Sequence, residues 1–152
     1  MGAIVMVYTP QRRAKVKRER VMQCIRRGAI TCNEETTLQF VAQIMVVNRI
    51  RYCVVLNNNS EIVGLISSDT MINAFGKDFA TTRAKDILTR DGIATVTLST
   101  PLKDAVALMA KDGIEHLIVV SDKAERTAVI GMLFASDVIA LMAEEREQGV
   151  VS

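Results

Sequence analysis

The chain has no tryptophan, one histidine, two prolines, two tyrosines and four phenylalanines among its 152 residues. A lone His116 and three cysteines leave a metal centre almost no ligands, and none of Cys24, Cys32 and Cys53 is spaced as a CxxC pair. The odd number and apolar neighbours fit buried free thiols better than a disulfide framework. No metal site and no cofactor is expected. No nucleophile stands at a fitting spacing from His116, and no glycine-rich phosphate loop of the P-loop or Rossmann type is present. The chain therefore does not read as an enzyme. No apolar run approaches the roughly 20 residues a membrane span needs. The longest, Ala3 to Tyr8 and Val41 to Val47, are of strand and helix size. The N-terminal charges follow the apolar stretch, the wrong order for a signal peptide. Met6 stands where a myristoylation signal beginning at Gly2 wants Ser or Thr. A cytoplasmic protein is the expectation.

What is present is globular: 49% hydrophobic and 24% charged residues, with little Gly or Pro. The net charge of +2 hides an asymmetry. Arg12 to Arg27 holds eight basic residues and one acid, a net of +7, which leaves the remainder at −5. Such a run is most often a solvated face. Nucleic-acid binding is a sharper alternative, but interleaved aromatics and a helix-turn-helix context are missing, and a third reading is phosphate contact within the module or docking of an acidic partner.

The dominant feature is an internal repeat. Thr36, Leu38, Val41, Ala42 and Met45 are answered 64 positions on by Thr100, Leu102, Ala105, Val106 and Met109. Ile50, Val54 and Val55 are answered by Ile114, Ile118 and Val119. The offset then becomes 67, where Ile62-Val63-Gly64-Leu65-Ile66 returns as Val129-Ile130-Gly131-Met132-Leu133. The length change falls in a polar loop, as an insertion between elements of fixed shape should.

Each copy has the order strand, helix, two strands, helix. In the first, a strand Ala29 to Cys32 precedes a helix from about Thr37 to Asn48 with Thr36 placed to cap it. Leu38, Val41, Ala42 and Met45 follow the i, i+3, i+4, i+7 spacing of one buried face. Tyr52 to Leu56 reads as a strand covered on both sides, and Asn57 to Ser60 as a turn. Glu61 to Ile66 is the return strand, followed by a helix from Ser68. In the second copy the strands are Ala94 to Leu98, Leu117 to Ser121 and Ala128 to Phe134. One helix is opened by Thr100 with Pro101 in its first turn, and the last runs from Ser136 to about Glu147. The organisation is 1–20, a strand and basic segment; 21–76, repeat 1; 77–83, linker; 84–147, repeat 2; and 148–152, tail. Two such halves, each marginal alone, should share a core.

A tandem βαββα unit with Gly-apolar-apolar in its last strand and an acid opening its last helix resembles the tandem CBS domain pair, the Bateman module. The resemblance spans about residues 20 to 145 and implies an α+β fold of two βαββα repeats packed about a pseudo-twofold axis. It implies clefts between the repeats that hold an adenosine nucleotide. The ribose hydroxyls go to an Asp six residues after the strand glycine and to a Ser or Thr three residues before that Asp. In repeat 2 the Asp is present, Asp137 after Gly131, but Phe134 replaces the Ser or Thr. In repeat 1 Ser67 is in register after Gly64, but Thr70 holds the sixth position and Asp69 comes one early. An ionised carboxylate accepts from both ribose hydroxyls at once.

The resemblance therefore implies a main site at Asp137 and Ser136, with adenine walls from Met132, Phe134, Ala29 and Ile30. Arg51, Tyr52 and His116 stand at the phosphate-facing positions. A second, weaker site is implied at Ser67, Asp69, Thr70, Leu65, Ala94 and Thr95. Glu115 in the position answering Arg51 repels phosphate, which favours AMP or ADP over ATP. The bland alternatives are that Asp137 and Asp69 are helix-start acids facing the macrodipole, and that His116 is structural. The function implied is a regulatory module, a homodimer, signalling nucleotide levels to a protein partner. The alternative is an interaction or nucleic-acid-binding protein working through its basic segment with vacant clefts.

Overall fold

The structure is a computed structural model that describes residues 20–21, 25–28, 30–123 and 128–144. The expected Ala3 to Tyr8 strand, most of the basic stretch, Cys24, Ala29 and the tail lie outside the described residues.

The described chain opens with a two-residue strand, β1 (Arg26–Arg27), which sequence patterning did not indicate. The first repeat follows as β2 (Thr31–Asn33), α1 (Leu38–Asn48), β3 (Tyr52–Leu56), β4 (Ile62–Ser67) and α2 (Ser68–Asn73). A short helix α3 (Ala84–Ile87) closes the connection. The second repeat is β5 (Thr95–Thr97), α4 (Leu102–Asp112), β6 (His116–Val120), β7 (Val129–Phe134) and α5 (Ala135–Glu144). This is the expected α+β arrangement of two βαββα repeats. In the first sheet β2 runs parallel to β3 and β3 antiparallel to β4; in the other, ordered β1-β7-β6-β5, β5 and β6 are parallel.

Local chemistry sets the ends of these elements. The cap of α1 is Thr37, not the expected Thr36: the Thr37 side chain accepts from the Phe40 N–H at 3.3 Å. Thr36 is instead spent in a turn, its N–H donating to the Asn33 carbonyl at 3.0 Å. Thr100 does not cap α4 either. Its hydroxyl accepts from the Thr97 N–H at 3.1 Å, and Pro101, which has no donor to satisfy, takes the cap position. The expected polar linker leads into α3, whose first turn is closed by Asp86 accepting from the Arg83 N–H at 2.8 Å.

By packing, the described residues form two compact units. One gathers the residues up to Arg27, Ala94–Asp122 and those from Gly131 on. The other gathers Gly28–Ile93 with the described part of Lys123–Ile130. The copy that begins at 21 in sequence and the unit that begins at Gly28 in space are thus different objects. Val21 is fully buried in the core of the first unit with Leu102, Ala105, Met109, Leu117, Val119 and Leu133. Its N–H donates to the Thr100 carbonyl at 2.9 Å. The other core is Cys32, Val41, Met45, Cys53, Val55, Ile66 and Ala84. Of the expected helical stripe Leu38, Val41 and Met45 are buried and Ala42 is half-buried, and full burial of each large apolar side chain contributes about 1.5–3 kcal/mol.

Cys32 and Cys53 are buried free thiols, as expected. The Cys53 thiol is pushed far above its ordinary range, first by its hydrogen bond to Cys32 and then by burial, so it stays protonated.

Candidate functional site

Two places draw together the residues singled out by sequence. The first lies in the unit that carries repeat 2. Strand β1 pairs antiparallel with β7, with Arg26 opposite Met132. Side chains directly opposite in such a pair share a face, and so does the residue two further along, here Phe134. Helix α5 follows β7 without a break and presents Asp137 in its first turn. Arg26 bridges this set. Its guanidinium carbon stands 5.2 Å from the centre of the Phe134 ring. Its Nε donates to Asp137 Oδ1 and Oδ2 at 3.1 and 3.2 Å, and its Nη2 lies 3.0 Å from Oδ1. The Asp137 side chain is 19% exposed while that of Arg26 is 64% exposed, so the acid is set into the surface and the base reaches in from solvent. Met132 is buried and Ser136 is exposed.

The rim of this place is fixed by the strand before it. The Ala135 N–H donates to the Glu115 carbonyl at 2.9 Å, which seats Glu115 and then His116 against the start of α5. His116 is half-buried, and loss of solvation holds its pKa below the ordinary value against the opposing pull of Glu115.

The second place lies in the other unit. Ser67, Asp69 and Thr70 line a cavity of about 420 Å³ together with Asn73, Lys77, Asp86 and Thr89, among others. Ser67 and Thr70 form a reciprocal cap: the Ser67 hydroxyl accepts from the Thr70 N–H at 3.2 Å and the Thr70 hydroxyl accepts from the Ser67 N–H at 3.2 Å. Their hydroxyls lie 3.0 Å apart. The Ser68 N–H donates to the Arg51 carbonyl at 3.0 Å, and Tyr52 pairs with Ser67 in the ladder. Arg51 and Tyr52, assigned from sequence to the Asp137 site, thus adjoin the helix of the Ser67 site. Leu65 is buried, bridged on one side to Thr89. Ala94 and Thr95 belong to the unit of Asp137, and Ile30 to the unit of Ser67.

Sequence reasoning did not find Arg26 as a partner of Asp137, because 111 residues separate them. It also missed Asn73, Lys77, Asp86 and Thr89. Nothing in the repeat pattern singles out these four positions. Of the basic stretch, Arg20 and Arg26 are engaged within the chain, Arg20 donating to the Ser99 carbonyl at 2.8 Å. Among the described residues no group of three His, Cys, Asp or Glu gathers to hold a metal, and no helix is long and apolar enough to cross a membrane.

Tandem βαββα repeats with an acid in the first turn of the closing helix define a class, the tandem CBS-type modules. The family model for the CBS domain matches residues 21–77 and again 84–144, and the chain belongs to that family. No curated protein sequence matches it. Among solved structures it is similar to the CBS domain pair of protein MJ0100 in complex with 5′-methylthioadenosine and S-adenosyl-L-methionine. The identity is 20%, the TM-score 0.70, and the match covers 84% of this chain and 98% of that one. The CBS domain of a bacterial CNNM/CorC family Mg²⁺ transporter in complex with ATP matches at 14% identity and TM-score 0.73, over 88% and 93% of the two chains. The CBS domain protein TA0289 from Thermoplasma acidophilum matches at 24% identity and TM-score 0.64, over 87% and 79%. Likeness at these identities shows the fold.

Proposed function

We propose that the chain is a non-catalytic regulatory module that binds an adenine nucleotide at Asp137 and passes its state to a protein partner. One observation carries this. Asp137 and Phe134 already hold a planar group, with nitrogen donors on the carboxylate and its central carbon over the ring. A nucleoside offers the same pairing, hydroxyl donors for the carboxylate and a flat base for the aromatic wall. The similar CBS structures holding S-adenosyl-L-methionine, 5′-methylthioadenosine or ATP support the ligand class. Glu115, seated against the start of α5, disfavours a long anionic tail, so AMP or ADP is preferred to ATP. A metabolite of this kind fits a cytoplasmic module.

The ligand acts through differential affinity for two states of the module, the only way binding shifts an equilibrium. At about 100 times its dissociation constant it stabilises the bound form by roughly 2.7 kcal/mol. The module works as a homodimer. Ile72 and Phe75 are each 74% exposed, and the positions answering them 67 residues later, Ile139 and Met142, are 62% and 55% exposed. An apolar surface kept in both copies suits contact with a second copy of the chain.

The test is thermal unfolding with AMP, ADP, ATP or S-adenosylmethionine, on the native chain and on Asp137→Ala. A rise in midpoint with AMP that disappears in the variant is expected. No rise with any ligand overturns the proposal, and a rise that survives Asp137→Ala moves the site to the cavity at Ser67.

A further inference from the structure

Arg26 is a third party at the site. Its guanidinium takes both of the contacts the nucleoside needs: the Asp137 carboxylate, at 3.0–3.2 Å, and the face of Phe134, at 5.2 Å. A ligand that takes both contacts competes with Arg26 for the carboxylate's acceptor sites and for the ring face it covers. Yet Arg26 is weakly anchored. Its side chain is 64% exposed, and an ion pair that open to water adds little stability. Its backbone, by contrast, is fixed by the pairing of β1 with β7, so a displaced guanidinium stays tethered within one side chain's length of the site.

We infer that Arg26 is an internal surrogate for the nucleoside, displaced on binding and then recruited by the phosphate of the incoming ligand, so that it sets selectivity for nucleotide over nucleoside. This rests on the nucleotide reading of the site. A nucleoside displaces Arg26 and returns nothing to the freed cation. A nucleotide brings a dianionic group that forms charge-assisted, fork-like hydrogen bonds with guanidinium. One residue thus lowers the affinity of the unphosphorylated ligand and restores that of the phosphorylated one. The position answering Arg26 is Arg90, 64 residues on, and the one answering Asp137 is Thr70, so the sequence does not repeat this base–acid pair in the unit of Ser67.

Isothermal titration of adenosine and AMP into the full chain, native and with Arg26→Ala or Arg26→Lys, tests this. Removing the competing occupant in Arg26→Ala should tighten adenosine by up to about tenfold, since apparent affinity scales with the fraction of open sites. The preference for AMP over adenosine should fall by about tenfold with loss of the phosphate partner. Arg26→Lys, which keeps the charge but not the plane, should tighten adenosine while retaining part of the AMP preference. Adenosine affinity unchanged or weakened in Arg26→Ala, or an unaltered preference for AMP, overturns the inference and leaves the nucleotide site standing. Absence of binding by either ligand to all three proteins overturns the nucleotide reading itself.

Discussion

Arg49 and Gly113 hold the same position in the two copies of one helix, 64 residues apart, and share one backbone conformation, with φ of 52° and 64°. Each is the residue at which its helix ends in a left-handed turn, the Arg49 N–H donating back to Met45 and Val46 and the Gly113 N–H to Met109. Glycine adopts this turn without strain, whereas a residue with a Cβ costs about 1 kcal/mol there. Arg49→Gly should therefore stabilise the chain by about 0.5–1 kcal/mol, read as a rise in urea midpoint with unchanged slope. Gly113→Arg should lower it by a similar amount.

Gly64 gives the opposite case. A Cβ built there would stand 2.5 Å from Leu88 Cδ1, 2.9 Å from its Cγ and 3.0 Å from its Cβ, so the whole side chain is in the way. Leu88 is fixed by its N–H donating to the Ala84 carbonyl at 2.9 Å. Gly64→Ala should cost about 1–3 kcal/mol as an overpacked contact. Denaturation of the double variant with Leu88→Ala should show coupling, the pair costing less than the two single changes added together.

The reciprocal cap at α2 is a testable unit. Ser67→Ala removes the acceptor for the Thr70 N–H and should cost about 1 kcal/mol. Thr70→Asp should leave the fold intact, because a carboxylate at that position accepts from the Ser67 N–H just as the hydroxyl does and lies in the first turn of the helix. It also supplies the acid that repeat 1 lacks. Nucleotide stoichiometry measured by titration should then rise from one to two per chain. A value that stays at one would show that the cavity lined by Ser67 is not a latent second copy of the Asp137 site.

His116 predicts a pH dependence. Desolvation lowers its folded pKa beneath the ordinary value of 6.5, with Glu115 opposing. The folded state thus binds the proton more weakly than the unfolded chain does. The stabilising contribution is full above pH 6.5, shrinks as pH falls towards the lowered folded value, and is gone below it. Urea midpoints of the native chain should fall over this interval more steeply than those of His116→Gln. Equal slopes for the two proteins would exclude His116 as the source.

These residues also show what was legible in the sequence. The bounds of β3 came out as expected because an unbroken apolar run sits between Arg51 and Asn57, polar at both ends. The cap of α1 fell one residue away because Thr36 and Thr37 are chemically alike, and only the side chain of Asn33, accepting from the Glu35 N–H at 2.8 Å, decides which is drawn into the preceding turn. Helix α3 was hidden because four residues cannot display a period of 3.6. At the candidate site, the family resemblance pointed to Asp137 and Phe134 by their places after Gly131, and the structure brings both onto Arg26. Arg26 itself was not legible, since it reaches Asp137 through strand pairing and nothing near it in the chain records that.

Strand β1 has one more consequence. Following the backbone, the chain passes from one packed unit to the other after Arg27, returns at Ala94, leaves again after Asp122 and returns at Gly131. Severed in the 77–83 stretch, the C-terminal fragment would carry β7 with an unpaired edge where Arg26 and Arg27 had been, and would lose Val21 from its core. The N-terminal fragment would carry those residues with nothing to pack on. The boundaries of the sequence repeats are therefore poor places to cut or fuse the protein. A fragment meant to fold as the unit of repeat 2 needs residues 20–27 rejoined to it, and a domain swap that ignores this exchanges sequence without exchanging a fold.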